Sequence, residues 1–402
     1  MTKLEEPPVH VATAHGPDDA LAPVLIDHLI MHGSASRTEL STVTGLGRTA
    51  VAGLTTRLKD AGILVDAASA GDGRTASVEL AARTHVIVTA ELAVDEAVAT
   101  VAGLDRAELS RFTVPLHDVA AADVVGELAT AIDRALASAA RGHRPVVDLA
   151  VVVDGGVAGR PPVAIGSTRL GIEPVDLLGE LAVRSSAIRA LMDSTSLVSA
   201  AHAAAAAESA VGGDPDLLVI GGDGGIHAAA LEGGRPRVGA HGFATWFAHL
   251  PVVPNGSKCA CGQRGCLATV ADAAGVLEHA GLGELDRTAG RTAALTELVR
   301  RIHDADDRAR WAWLDAAHWI GRALQFAVTV LDPGEIVVRG YWGELLEDIE
   351  TSYRDNRPTI AGEALVGMPG FVSAEAGHDA AIAGARIIAR ERLLADPLRL
   401  AV

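Results

Sequence analysis

The stretch HLPVVPNGSKCACGQRGC, residues 249–266, decides how this chain is read. It holds Cys259, Cys261 and Cys266, the three cysteines of a 402-residue sequence, and it opens on His249. The spacing is His-x9-Cys-x-Cys-x4-Cys. Three thiolates and one neutral imidazole complete a tetrahedral donor set for Zn2+ and leave no position open for water or substrate. The stretch therefore predicts one structural zinc per chain, not a Lewis acid. Gly256, Gly262 and Gly265 allow the tight turns that such a loop needs. Three reduced thiols in a turn would be the plainer reading. Buried free cysteines, however, are usually scattered through strands and helices and not gathered in a polar, Gly-rich loop.

Outward from this loop, composition sets bounds. Apolar residues make up 49% of the chain, yet no apolar run approaches the ~18 residues of a membrane helix. The opening MTKLEEPPVHVATAHG has no apolar signal segment, so the expectation is a cytoplasmic protein, without a membrane partner, in a reducing compartment. The net charge of -17 argues against a body coated in nucleic acid. It leaves room for a small nucleic-acid module on an acidic body.

Residues 1–17 read as a disordered N-terminus. From residue 18, Leu21, Val24, Leu25, Ile26, Leu29 and Ile30 fall at helical spacing. SASRTEL predicts a capping box, with Ser36 as N-cap and Glu39 three residues on, opening a short helix to about residue 43. TGLG then turns the chain into a helix over about 48–61. GILVDAASAGDGRTASVEL reads as two strands and a Gly-rich hairpin, a wing. Helix, turn, helix and wing over 18–82 make a winged helix-turn-helix DNA-binding domain, against the plainer alternative of a helical subdomain packed on the core. Local charge lends weak support: between Gly33 and Thr75 stand five basic residues and four acidic ones. The expected DNA contacts are Ser36, Arg37, Arg48, Thr49, Thr55 and Arg57 around the two helices, and Arg74 in the wing.

Residues 83–402 change texture. Short β-rich runs (HVIVTAEL, EAVATVAGL, LSRFTVP) precede a helix over about 119–140, the strand VVDLAVVVDGG, the strand SLVS and an Ala-rich helix over 200–211. DLLVIGGDGGIHAAALEGG reads as strand, Gly turn and strand, and EIVVRG as a further strand among helices. Strands in meander and then alternating with helices predict two α/β lobes.

Together these stretches resemble the ROK family of repressors and sugar kinases. SRTELSTVTGLGRTAVAGLTTRLKDAGIL with GDGRTA resembles the winged-helix head of its repressor branch. RVGAHGFATWFAHLPVVPNGSKCACGQRGCLATVADA resembles its signature, G-x-x-G-x-A-G-E-I-G-H followed by C-x-C-G-x-x-G-C-L-E. LQFAVTVLDPGEIVVRG and GHDAAIAGA resemble its C-terminal lobe. The resemblance implies a two-lobed, actin-like (ribonuclease-H-like) α/β body behind the head. It also implies zinc on His249, Cys259, Cys261 and Cys266, and a homodimer or tetramer.

The sequence also departs from the family. The D-x-G-G-T phosphate turn of the kinases falls on VTAELAVDEA, which has no glycine. The N-D pair, whose Asp is the kinases' general base, falls on Ser199 and Ala200, and a methyl group accepts no proton. The two signature glutamates fall on Trp246 and Ala268. The cleft is thus expected around Ser199, Trp246 and His249, with weak affinity for plain hexoses and any effector less hydroxylated or stacked on Trp246. The expected protein is not an enzyme. It is a repressor that binds an inverted-repeat operator on double-stranded DNA, with a possible small-molecule effector. A divergent sugar kinase and an effector-independent scaffold are the alternatives.

Overall fold

The computed structural model describes residues 21–67, 77–116, 123–356 and 368–395. The N-terminal segment 1–17 and Arg74 lie outside them. The chain divides into two compact units. One comprises Met1–Val86, Gly103–Ala107 and Arg390–Val402, and the other Ile87–Ala102 with Glu108–Ala389.

In the first unit, α1 (Ala22–His32) leads through β1 (Ser34–Ser36) into α2 (Arg37–Thr44) and α3 (Arg48–Asp60), then β2 (Leu64–Asp66) and β3 (Ser77–Leu80). The Ser36 hydroxyl accepts from the Glu39 amide at 3.3 Å, and the Glu39 carboxylate accepts from the Ser36 amide at 2.7 Å. This reciprocal cap fixes where α2 starts. Gly45, at φ 72°, stops it in the left-handed conformation. The three strands form an antiparallel sheet in the order β1-β3-β2. Leu25, Ile26 and Leu29 of α1 meet Leu40, Val51, Leu54, Leu58, Ile63 and Val78 in one core. A residue from the far end of the chain, Leu394, completes that core. Arg390 pairs with Asp27 of α1, and Leu393 and Leu394 border Ile26, Ile30 and Ile63.

The second unit carries two five-stranded sheets of one topology. In the first, β4 (Val86–Leu92), β5 (Glu96–Gly103) and β6 (Glu108–Pro115) precede α4 (Val124–Arg141) and β7 (Val146–Val153). A small hairpin of β8 (Gly156–Ala158) and β9 (Val163–Ile165) follows, then α5 (Leu177–Arg184), α6 (Ser186–Arg189) and β10 (Thr195–Ser199). The sheet order is β10-β7-β4-β5-β6, with β10 parallel to β7 and β6 antiparallel to β5.

After α7 (Ala200–Ala210) come β11 (Leu217–Gly221), β12 (His227–Glu232), β13 (Arg235–Pro236), β14 (Glu335–Arg339) and β15 (Gly370–Ser373). Their order is β13-β12-β11-β14-β15. β11 to β13 form an antiparallel meander, and β14 and β15 add in parallel. Each sheet therefore places its first strand centrally, its second and third on one side, and its fourth and fifth on the other. Between β13 and β14 lie α8 (Ala268–Ala271), α9 (Ala273–His279), α10 (Gly283–Ala289), α11 (Arg291–His303) and α12 (Asp307–Leu331). α13 (Tyr341–Glu344) and α14 (Leu346–Asn356) follow β14, and the C-terminal helix spans Ala380–Ala395. The second sheet and these helices bury Trp313 and Trp342 completely. Among the described residues no helix is long and apolar enough to cross a membrane.

Candidate functional site

The cysteine loop folds as its glycines require. Gly265 takes φ 73°, and a Cβ there would lie 1.9 Å from the Val253 carbonyl oxygen. A Cβ on Gly256 would lie 2.9 Å from the Gly265 backbone. The loop closes through Cys259 N to Gln263 O at 2.8 Å and Val253 N to Gly265 O at 3.0 Å. It brings together donor atoms of His249, Cys259, Cys261 and Cys266, all within 4.8 Å of one another. His249 Nδ1 lies 3.5 Å from Cys259 Sγ, and Cys261 Sγ lies 3.6 Å from Cys266 Sγ. In a tetrahedron with Zn–S bonds of about 2.3 Å and a Zn–N bond of about 2.1 Å, the S–S edge is about 3.8 Å and the N–S edge about 3.6 Å. The four side chains are thus spaced to hold a metal ion of that size. Burial holds the His249 imidazole neutral, the form that ligates. Burial, then the neighbouring thiols, pushes Cys266 up to about 12 without a metal. A bound cation would supply the missing countercharge.

Ser199, Trp246 and His249, the three residues expected at the cleft, do line one cavity of about 50 Å³. Ser199 ends β10. Trp246 and His249 make a T-shaped pair at a centroid distance of 4.5 Å, and Trp246 is tilted against Phe243 at 4.9 Å. Positions of Cβ on Gly156 and Gly166 would be 3.8 and 3.9 Å from its indole. The indole is therefore packed against a glycine wall and fills space where the signature has a carboxylate. Two histidines that the sequence reading did not single out share this cavity: His202 of α7 and His227 of β12. Among the described residues, no Lys, Arg, Asp or Glu side chain lines it.

Two turns, one between β4 and β5 and one between β11 and β12, carry aspartates whose carboxylates bind backbone amides elsewhere in the chain. Ala93 N donates to Glu96 O at 3.0 Å, so β4 and β5 join in a tight hairpin. Asp95 in this hairpin accepts from Arg291 N at 3.0 Å, Thr292 N at 2.7 Å and Thr292 Oγ1 at 2.6 Å, at the start of α11. A Cβ on Gly290 would stand 3.1 Å from that carboxylate. In the second turn, Asp223 accepts from Tyr341 N at 3.0 Å. A Cβ on Gly222 would fall 2.4 Å from the Trp342 ring. Ala200 opens α7 and offers only a methyl group there. On β4, burial raises Glu91 to about 7, with Arg339 opposing and Asp379 and Asp154 adding to the shift.

Arg48 and Thr49 lie exposed in the first turn of α3, and Arg37 is exposed at the start of α2. Ser36 spends its hydroxyl on the cap. Arg57 is exposed in the last turn of α3. Thr55 is a correction. It is fully buried, and its hydroxyl donates to the Val51 and Ala52 carbonyls at 2.8 and 3.1 Å, so it faces the core and cannot touch DNA. The exposed hydroxyl is that of Thr56, about two turns beyond Thr49 along a stripe that includes Gly53. The Arg57 guanidinium lies along this stripe, 3.3 Å from where a Cβ on Gly53 would stand.

Two five-stranded sheets of one strand order, with a loop of three cysteines and one histidine between β13 and β14, define a mixed α/β class of fold. Within that class the chain is a member of the ROK family, whose model matches residues 90–392. It is 23% identical over 352 residues to the DNA-binding transcriptional dual regulator NagC of Escherichia coli K12, covering 83% of this chain and 86% of that one. A glucokinase of Streptomyces coelicolor is 24% identical over 188 residues, 42% of this chain and 57% of its own. Among solved structures, a ROK family transcriptional regulator, a homologue of the E. coli MLC protein, superposes with a TM-score of 0.74 at 17% identity. It covers 96% of this chain and 98% of its own. The Streptomyces griseus ROK glucokinase in complex with glucose and AMPPNP gives 0.60 at 22% identity, covering 76% of this chain and 99% of its own.

Proposed function

We propose that this chain is a sequence-specific regulator of transcription, a repressor that binds double-stranded DNA as a homo-oligomer in the cytoplasm. Residues 18–82 form its winged helix-turn-helix, and residues 83–402 form a kinase-like body that does not phosphorylate sugars. The observation that carries the reading is the exposed face of α3, with Arg48, Thr49 and Thr56 around Gly53, behind a capped α2. An α-helix fits the major groove, and cations at its start meet phosphates or guanine edges. Coverage supports the same reading. The regulator structure spans 96% of the chain, whereas the glucokinase structure spans 76%.

Loss of catalysis follows from chemistry. Ala200 offers no base. The turn between β4 and β5 has no glycine, and Asp95 there and Asp223 in the turn between β11 and β12 add negative charge that repels a phosphate. The metal of the cysteine loop is Zn2+, with His249, Cys259, Cys261 and Cys266 as its ligands. A closed set of four ligands makes its role structural. The cavity at Ser199, Trp246 and His249 is the effector site.

The test is to pass sheared genomic DNA over the full-length protein and sequence what is retained. An inverted repeat with half-sites one or two helical turns apart is expected. Uniform retention of all fragments, or none, would overturn the regulator reading. A coupled ADP assay over a panel of hexoses is expected to give no turnover.

A further inference from the structure

We propose that the effector cavity takes a small neutral ligand whose buried end carries both a hydrogen-bond donor and an acceptor, met by the imidazoles of His202 and His227, and that it rejects anionic ligands, phosphorylated ones included. This deepens the reading of the cavity given above and rests on it.

Three observations converge. First, His202 and His227 both line the cavity, one from α7 and one from β12, and each has a buried Nε2 without a hydrogen-bond partner. Buried polar atoms are almost always paired, so two orphans at one cavity wall call for a partner that enters it. His202 is the more telling of the two. The remaining residues of α7 that are buried are five alanines and Glu208, and the carboxylate of Glu208 is engaged by the amides of Glu375 and Ala376. The His202 ring bonds the Arg237 backbone, which leaves its Nε2 facing the cavity without a partner.

Second, among the described residues the lining has no charged side chain. An anion would shed its water and gain no countercharge, and burying an unpaired charge is far costlier than burying a neutral dipole. Burial holds His202 and His227 toward the neutral form, against the opposing pull of the Asp154 and Asp223 carboxylates on His227. A neutral imidazole presents one N–H and one lone pair. Two of them complement a group that both donates and accepts, as an amide does.

Third, the free space is about 50 Å³. A single water needs about 10–15 Å³ of such space, so the enclosed part admits a group of a few heavy atoms. Trp246 and Phe247 give the rest of the lining an apolar character.

The probes are acetamide, acetate and acetone, which share one shape and differ in charge and in donors. They are titrated into full-length, metal-loaded protein by ligand-observed NMR, with imidazole 15N shifts as a second readout. Acetamide is expected to saturate, and to bind at least about tenfold more tightly than acetate or acetone. Two imidazole signals should move with it. His202→Ala and His227→Ala should each weaken acetamide about tenfold, and His202→Gln, which keeps a donor and an acceptor near Nε2, should recover part of the loss. Metal content and thermal midpoint check folding. If either alanine variant unfolds, the glutamine variants alone decide. Acetate binding as well as acetamide, absence of saturable acetamide binding up to about 0.5 M, or binding indifferent to both histidines would overturn the proposal. The second of these results would mean that the cavity holds water only. DNA retention is scored separately without added ligand. Its loss beside intact acetamide binding would refute the regulator reading and leave the cavity assignment standing.

Discussion

Replacing Asp95 by alanine tests whether its carboxylate fixes the β4–β5 hairpin to α11. In the folded chain its carboxylate takes three hydrogen bonds, from Arg291 N, Thr292 N and Thr292 Oγ1, at the first turn of α11. Loss of a helix cap costs about 0.5–2 kcal/mol. A full negative charge at a helix N-terminus contributes about 0.3–1 kcal/mol more. Because Asp95 comes from the β4–β5 hairpin and α11 packs beside the second sheet, the bond also ties distant segments together. Asp95→Ala should therefore lower unfolding stability by about 1–3 kcal/mol. Asp95→Asn keeps one acceptor oxygen and should lose about half of that. Urea denaturation followed by tryptophan fluorescence measures both, and hydrogen exchange should rise in the first turn of α11. No phosphotransfer should appear in either variant, since Ala200 still lacks a base. A loss below about 0.5 kcal/mol for Asp95→Ala would show that the carboxylate merely rests at the helix end, and the argument that it fixes the β4–β5 hairpin to α11 would fail.

Other outcomes follow from the same geometry. Purified protein should contain one zinc per chain by mass spectrometry, and Cys261→Ser should lose it and loosen the 249–266 loop, since ligation and local folding are coupled. Arg48→Ala should weaken operator binding by about 1–3 kcal/mol and reduce its salt dependence, while Thr55→Val should leave the DNA contacts alone; fluorescence anisotropy at two salt concentrations separates them. Glu91 has a folded pKa of about 7, above its ordinary value of 4.5, so its contribution to stability is present at low pH and is lost as pH rises across that interval. Glu91→Gln should flatten that part of the stability profile, read as urea midpoints at pH 5 and pH 8.

What the sequence made legible was local or rigidly spaced. The capping box needs only Ser36 and Glu39, and the metal loop only one window of donors and glycines. Both were readable because the interacting groups are near neighbours in the chain. Thr55 was misread for a physical reason: it follows Val51 by four residues and so shares its buried face, and its hydroxyl is satisfied inside the helix. The Asp95 bonds join residues nearly two hundred positions apart, and no periodicity announces such a pairing. His227 stands in a strand whose other residues are mostly alanine, and His202 in an alanine helix. A lone imidazole in such company is a usable signal, but only the fold shows that the two meet at one cavity. Leu394 belongs to the same group of long-range facts. Its hydrophobicity was plain, and its destination was not.

That destination has a bearing on synthesis. A ribosome releases α1, α2 and α3 early, yet their core stays open until Leu394 has emerged, and Asp27 waits as long for Arg390. A chain that stops before Arg390 thus carries α1, α2 and α3 without two of the residues that pack against and pair with them. Because the helix Ala380–Ala395 seals it, the unit that holds α1, α2 and α3 reaches its full stability only after synthesis has passed Leu394.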